Sequence, residues 1–160
     1  METAEVIGVA AGFPGADHAT ITGGEPLLQE GVYDLMDGLL DAGWRVQIET
    51  NGSLGLEGIK SGVRKIVDVK TPSTGESGSF LMENIRLLGV ADEVKFPIGN
   101  AGDYGFSVDF MKKHLSGTGA LINFSPVYGI MDAGELARMM LRDGVTARLN
   151  IQVHKYIGVE

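Results

Sequence analysis

At 160 residues, 44% of them hydrophobic and 21% charged, the chain is expected to form one domain over 1–160 with a sizeable buried core. The net charge of −8, with 13 basic residues scattered among 21 acidic ones, excludes a nucleic-acid backbone as partner. The short, glycine-broken apolar runs argue against a membrane span, and the acidic start Met1-Glu2-Thr3-Ala4-Glu5 argues against a secretory signal, so a cytoplasmic location is expected.

Val6, Val9, Ala10 and Phe13 recur at helical spacing and predict a helix over 3–12, with Thr3 as N-cap. Phe13-Pro14-Gly15-Ala16-Asp17 stops it, and a strand follows over 18–22. Leu28, Val32, Leu35, Met36, Leu39 and Leu40 form an apolar stripe closed by Gly43. Further strands are predicted over 45–49, 65–69, 93–96, 120–124 and 148–156. Between them lie a helical turn over 54–60, a helix marked by Leu81, Ile85 and Leu88, and helices over 103–115 and from Asp132 to Gly144. Met36, Met139 and Met140 sit in the helical stripes and read as core. Strands alternating with helices imply an α/β fold with a parallel sheet.

In such a sheet the residues after each strand converge at one end, where ligands bind. Those ends read Thr22-Gly23-Gly24-Glu25, Glu49-Thr50-Asn51-Gly52, Asp68-Val69-Lys70-Thr71, Lys95-Phe96-Pro97, Asn123-Phe124-Ser125-Pro126 and Gln152-Val153-His154-Lys155. The strand starts are bland by comparison, with Ala19, Arg45, Lys65 and Ala120. Glu25, Glu49 and Asp68 can accept from amino or hydroxyl groups, and Lys70, Lys95 and Lys155 can hold a carboxylate, which suits a zwitterionic or heterocyclic acid ligand. His18, His114 and His154 lack the spacing of a metal site. His154 is expected to pair with Gln152 on one strand face, toward the pocket. Lys112-Lys113-His114, the densest basic cluster, reads as a solvated helix face. Without cysteine the chain has no disulfide, no thiol nucleophile and no thiolate ligand for zinc or an iron–sulfur cluster.

The run Ile21-Thr22-Gly23-Gly24-Glu25-Pro26-Leu27-Leu28-Gln29 resembles the glycine-rich motif of radical S-adenosylmethionine enzymes. Together with Glu49-Thr50-Asn51-Gly52, Asp68-Val69-Lys70-Thr71-Pro72-Ser73, Gly75-Glu76, Glu93-Val94-Lys95-Phe96, Ser125-Pro126-Val127 and Gln152-Val153-His154-Lys155-Tyr156, it resembles the 7-carboxy-7-deazaguanine synthase family. The resemblance covers essentially the whole chain. It implies an incomplete TIM-type barrel lacking its first strand, in a homodimer. It also implies conversion of 6-carboxy-5,6,7,8-tetrahydropterin to 7-carboxy-7-deazaguanine with loss of ammonia, toward queuosine and related 7-deazaguanines. In the family a 4Fe-4S cluster cleaves S-adenosylmethionine, the resulting radical takes a hydrogen from the substrate, and Mg²⁺ assists. By the resemblance, Gly23, Gly24, Glu25, Glu49, Asn51, Asp68, Val69, Lys70, Ser125, Pro126, Val127 and Tyr128 would bind S-adenosylmethionine. Thr22, Gln152 and His154 would meet the pterin, with the tail after His154 closing over it.

The family's CxxxCxxC cluster loop and its Mg²⁺-binding Thr would precede the first helix read here. The expectation is therefore the carboxy-terminal portion of a synthase, with no metal ligands and no catalytic residue identifiable in the chain, and inactive alone. A non-catalytic pterin- or S-adenosylmethionine-binding remnant, or a dimer-forming one, stays open as an alternative. Cluster-free chemistry by Glu25, Glu49 or Lys70 is disfavoured, because the motifs suit binding rather than proton transfer. An unpaired sheet edge beside the lost strand should make the chain less stable and prone to associate.

Overall fold

The alternation of β-branched runs with amphipathic stripes yields a parallel sheet packed against helices. The structure, a computed structural model, describes residues 2–159; Met1 and Glu160, the ends of the expected 1–160 domain, lie outside the described residues. The strands are β1 (His18–Ile21), β2 (Arg45–Thr50), β3 (Val63–Asp68), β4 (Glu93–Ile98), β5 (Leu121–Pro126) and β6 (Arg148–Leu149). The helices are α1 (Thr3–Ala11), α2 (Val32–Asp41), α3 (Ala101–Phe110), α4 (Ala133–Arg142) and α5 (Val153–Ile157). All strand pairs are parallel, and the six strands lie in simple sequence order with β1 and β6 at the edges of an unclosed sheet. The α/β fold with an incomplete barrel-type sheet is the one expected.

Register assigns each strand residue to a face. Val46, Ile48 and Thr50 are paired with Val63, Lys65 and Val67, and the same face carries Val94, Phe96, Ile98 and Phe124. This face meets Met36 and Leu39 of α2, Tyr104 and Val108 of α3 and Leu136 and Met140 of α4 in one buried core. Phe96 touches Phe110 and Phe124 edge-on, and Phe124 touches Tyr104 likewise. Burying each such ring contributes about 2–3 kcal/mol. The one charged side chain set into this face, Lys65, pairs at 3.0 Å with Asp92, whose carboxylate also accepts the Lys65 and Gly89 N–H groups, each at 2.9 Å.

The opposite face is polar. Gln47, Arg64, Asp68, Glu93, Lys95, Asn123, Ser125 and Arg148 alternate with the core residues, as the two-residue period of strands requires. At its amino-terminal side Glu93 receives Arg64, Asn123 and Arg148, a charge network spanning β3 to β6.

Several elements differ from expectation. Thr3 is the first residue of α1 rather than its cap; Glu2 takes that place and makes no side-chain cap bond. Leu28 is exposed, because Pro26–Leu28 forms a separate 3-10 turn and the α2 stripe begins at Val32. Segment 54–60 makes an isolated turn, and Met82–Leu87 is 3-10 rather than α-helical. Strand β3 starts and ends earlier than 65–69. The predicted last strand over 148–156 is the largest correction: only Arg148–Leu149 pairs, and Val153–Ile157 is a short helix. Alternation in 148–156 mimicked a strand, but at a sheet edge no further neighbour is present to hold it extended. Asp132 caps α4 as predicted, accepting the Glu135 N–H at 2.8 Å.

Candidate binding site at the carboxyl ends of the strands

The loop after β1 turns on Gly23 (φ +105°) and Gly24 (φ +55°), a backbone path that side chains disfavour. No atom lies within 4 Å of where a Cβ would sit on either glycine, so the peptide groups there face open space. Thr22 is exposed just past β1, and Thr22 and Gly23 line a cavity of about 180 Å³ with Thr3, Val6 and Val32.

Glu25 is almost fully buried, and its side chain is committed to the protein. It accepts the Leu27 N–H at 3.1 Å and the Asn51 N–H at 2.8 Å, and the Thr50 hydroxyl sits 2.8 and 2.9 Å from its two oxygens. Glu25 thereby ties the loop after β1 to the loop after β2, and its carboxylate is not free for a ligand. Asn51 closes a tight turn, its Oδ1 accepting the Ser53 N–H at 2.8 Å. Glu49 is half-buried on the polar face, in register with Ile66.

After β3, Lys70 Nζ lies 2.9 Å from Asp68 Oδ2, while Asp68 Oδ1 is buried without a partner. Val69 is buried and its N–H donates to Lys95 O at 2.9 Å, extending the ladder past the strand. After β4, the Val127 N–H donates to Ile98 O at 2.9 Å. Ser125 is 5% exposed, and its Oγ is likewise buried and unpartnered. A buried polar atom without a partner costs about 1–3 kcal/mol, so two of them on one face mark a place that a ligand or solvent completes. Pro126 ends β5, and the exposed Tyr128 beyond it stacks edge-on against Tyr156.

A third node carries no sequence-predicted role. Asp103, in the first turn of α3, accepts the Ser73 N–H at 2.9 Å, the Ser73 hydroxyl at 2.6 Å and the Gly99 N–H at 2.9 Å. Burial opposes ionisation of Asp103, but these bonds outweigh it and hold its carboxyl below the ordinary carboxylate value. The available signal was Asn100, three residues before Asp103, which caps α3 by accepting the Asp103 N–H at 3.0 Å.

Gln152 and His154 are not paired on a strand face. Gln152 is the residue before α5, and His154 lies in the first turn of that helix, exposed, lining a cavity of about 480 Å³ with Tyr128, Lys155, Gly158 and Val159. The tail thus gathers His154 with Tyr128, while Thr22 and Gly23 belong to a separate cavity beside α1. Among the described residues no cluster of His, Asp or Glu has the makings of a metal site, and no helix is long and apolar enough to cross a membrane.

The chain is 40% identical to the 7-carboxy-7-deazaguanine synthase of Koribacter versatilis, over 86% of this chain and 67% of that protein. The chain belongs to the 7-carboxy-7-deazaguanine synthase family. The synthases of Methanospirillum hungatei and Clostridium acetobutylicum are 38% and 32% identical, each over 89% of this chain and over 59% and 67% of their own lengths. The crystal structure of QueE from Escherichia coli superposes with a TM-score of 0.75 at 24% identity, covering 95% of this chain and 64% of that one, which shows a shared fold. No protein-family model matches the chain. The chain therefore spans about two thirds of the length of the curated synthases it matches.

Proposed function

We propose that this chain forms the S-adenosylmethionine- and pterin-binding wall of a 7-carboxy-7-deazaguanine synthase, the protein that converts 6-carboxy-5,6,7,8-tetrahydropterin to 7-carboxy-7-deazaguanine with loss of ammonia toward queuosine-type bases. The observation that carries the reading is the pair of unpartnered atoms, Asp68 Oδ1 and Ser125 Oγ, on the polar face at the carboxyl ends of their strands. The open Gly23-Gly24 backbone supports it. These groups fit S-adenosylmethionine: Asp68 can accept from ribose hydroxyls or an amine, Ser125 can donate to a ring nitrogen or a carboxylate, and the glycine loop leaves room for the methionine part. When bound, S-adenosylmethionine supplies the carbon that takes a hydrogen from the pterin. Glu25 holds the glycine loop against Asn51, Lys70 balances Asp68, and Thr22 faces the pterin, with Gln152 and His154, which stand apart from it in the tail, brought to the pterin when the tail closes over the site. Half-buried Glu49 supplies an acceptor beside them.

An iron–sulfur cluster does not fit this chain. The sequence has no cysteine, and the described residues offer no three-ligand cluster for iron or magnesium. The chain alone is accordingly inactive in the ring contraction, and its own contribution is binding. Titration calorimetry with S-adenosylhomocysteine tests the binding half: micromolar heat supports the reading, and no heat sinks it. Anaerobic incubation with iron, sulfide, reductant, S-adenosylmethionine and the carboxypterin tests the other half. No 7-carboxy-7-deazaguanine is expected, and its appearance would overturn the assignment of a binding role alone.

A further inference from the structure

Four predicted ligand-lining segments leave the sheet, and each must be held at a fixed distance from the next for one small molecule to touch them all. Ladder bonds reach about one residue past the strand ends, at Val69 and Val127, so something further must hold the rest of the loops. Between β1 and β2 the holder is Glu25. Between β3 and β5 the described residues offer, at the carboxyl ends of the strands, a buried carboxylate that no ligand-binding motif includes.

Asp103 sits at the base of α3 and reaches backward into the loop after β3. Three donors converge on it: the Ser73 N–H and hydroxyl from that loop, and the Gly99 N–H from the end of β4. A Cβ on Gly99 would lie 3.2 Å from both Asp103 Oδ2 and Ser73 Oγ, so a side chain there would crowd the node by a few tenths of an ångström. The same region is bound on both flanks. The Thr71 hydroxyl donates to Pro97 O at 2.7 Å, and the Val127 N–H donates to Ile98 O at 2.9 Å. The Gly99–Asp103 node thus stands between the segment of Asp68 and the segment of Ser125, each of which carries an unpartnered buried atom.

We infer that Asp103 is a positioning residue which fixes the Asp68 wall of the ligand site relative to the Ser125 wall, acting through Ser73 and Gly99 without touching ligand itself. The inference rests on the S-adenosylmethionine-binding reading above. That the Asp103 carboxyl is held below the ordinary carboxylate value fits, since the ionised form is the one that accepts all three bonds. In Asp103→Asn either orientation of the amide turns an N–H donor toward the Ser73 or the Gly99 N–H, breaking the node with almost no change of volume.

The test combines S-adenosylhomocysteine affinity by calorimetry with residue-resolved amide exchange, on the full chain. Asp103→Asn should weaken binding by about tenfold, the equivalent of one lost charge-assisted bond. It should also raise exchange at Ser73 and Gly99 while Val94 and Phe96 in the core stay protected; a purely structural defect would instead raise exchange throughout. Ser73→Ala removes one donor from an exposed position and should weaken binding by about threefold. It decides the matter if Asp103→Asn does not fold. Asp109→Ala, on the exposed side of the same helix, should change neither readout. Unchanged affinity in folded Asp103→Asn, or in Ser73→Ala, overturns the inference. If the parent chain shows no binding, the ligand reading fails, and the exchange pattern alone then decides whether Asp103 holds the two segments together.

Discussion

The two faces of the sheet are built from the same strands and obey different rules. On the helix-packed face Phe96, Phe124, Ile48 and Val94 are fully buried, and even the charged Lys65 is matched by Asp92. On the polar face Asp68 Oδ1, Ser125 Oγ and Arg64 Nε are buried without partners. One face is arranged so that nothing is left unsatisfied, which is what holds the fold. The other keeps unmet hydrogen-bonding capacity, which lowers stability; at Asp68 and Ser125 it lies at the carboxyl ends of the strands, where the proposed ligand site would use it. Beyond the strand ends the connecting loops are held by buried carboxylates, Glu25 and Asp103, rather than by apolar packing.

This contrast predicts how unequal the consequences of substitution should be. The largest effect belongs to Asp92→Ala on the packed face. It strands Lys65 and two N–H groups in the core and should cost roughly 3–5 kcal/mol, read by urea denaturation. A cost below about 1 kcal/mol would show that Lys65 escapes to water. On the polar face, Arg148→Ala removes a partner of Glu93 that is itself half in solvent, and should cost no more than about 1 kcal/mol. If the two costs prove equal, the distinction between the faces fails.

A third test addresses the seam between α3 and α4. The Tyr104 hydroxyl lies 2.9 Å from Asp143 Oδ2 and 3.1 Å from Met139 O. Burial first, and the Asp143 carboxylate next, push Tyr104 up to about 12. Arg142 first, and Tyr104 next, hold Asp143 down to about 2. Tyr104→Phe should cost about 1 kcal/mol at neutral pH. A depressed carboxyl stabilises the fold above its unfolded value and stops doing so as pH falls through its folded one. The gap between variant and parent should therefore narrow as pH drops from 3.8 through about 2. Alkaline melts provide the mirror image. The raised Tyr104 value contributes stability present below pH 10 and lost as pH rises through about 12, a loss the Phe variant lacks.

The smallest effect on stability, and the sharpest contrast with the core, is expected from Ser125→Ala. Deleting a hydroxyl that bonds nothing should leave stability within about 0.5 kcal/mol, or raise it, while weakening S-adenosylhomocysteine several-fold. A thermal melt and a calorimetric titration on the same sample read both. Loss of stability without loss of affinity would place Ser125 with the packed face instead.

Much of the fold was legible because its signals are local. Periodicity marked β1 to β5, α1, α2 and α4, and Asp132 announced its cap through Glu135. Segments 54–60 and 82–87 carry apolar spacing that suits a helix, but a side chain of the second pins the first to it. Asn84 accepts the Leu56 N–H and donates to Gly52 O and Leu54 O. The tail failed for a related reason: alternation in 148–156 states which side chains could face inward, not how far the neighbouring strand runs, and β5 ends at Pro126, only two residues past the Phe124–Leu149 pair. Gln152 and His154 moved with it, from a shared strand face to a short helix.

The sequence by itself determined the order of elements, the apolar faces that bury, and the strand-end motifs that place the chain among the deazaguanine synthases. Composition alone determined that no thiolate can come from it. Only the tertiary structure decided what those motif residues do. Glu25 reads in sequence as a ligand-facing carboxylate and turns out to be consumed by Leu27, Thr50 and Asn51. Asp103 reads as an ordinary helix-start acid and turns out to hold two loops together. The physical reason is common to both: a carboxylate's role is set by which donors reach it. Thr50, Asn51 and Ser73 lie about 25 to 30 residues away along the chain and meet their carboxylate only once the sheet has brought the strand ends side by side.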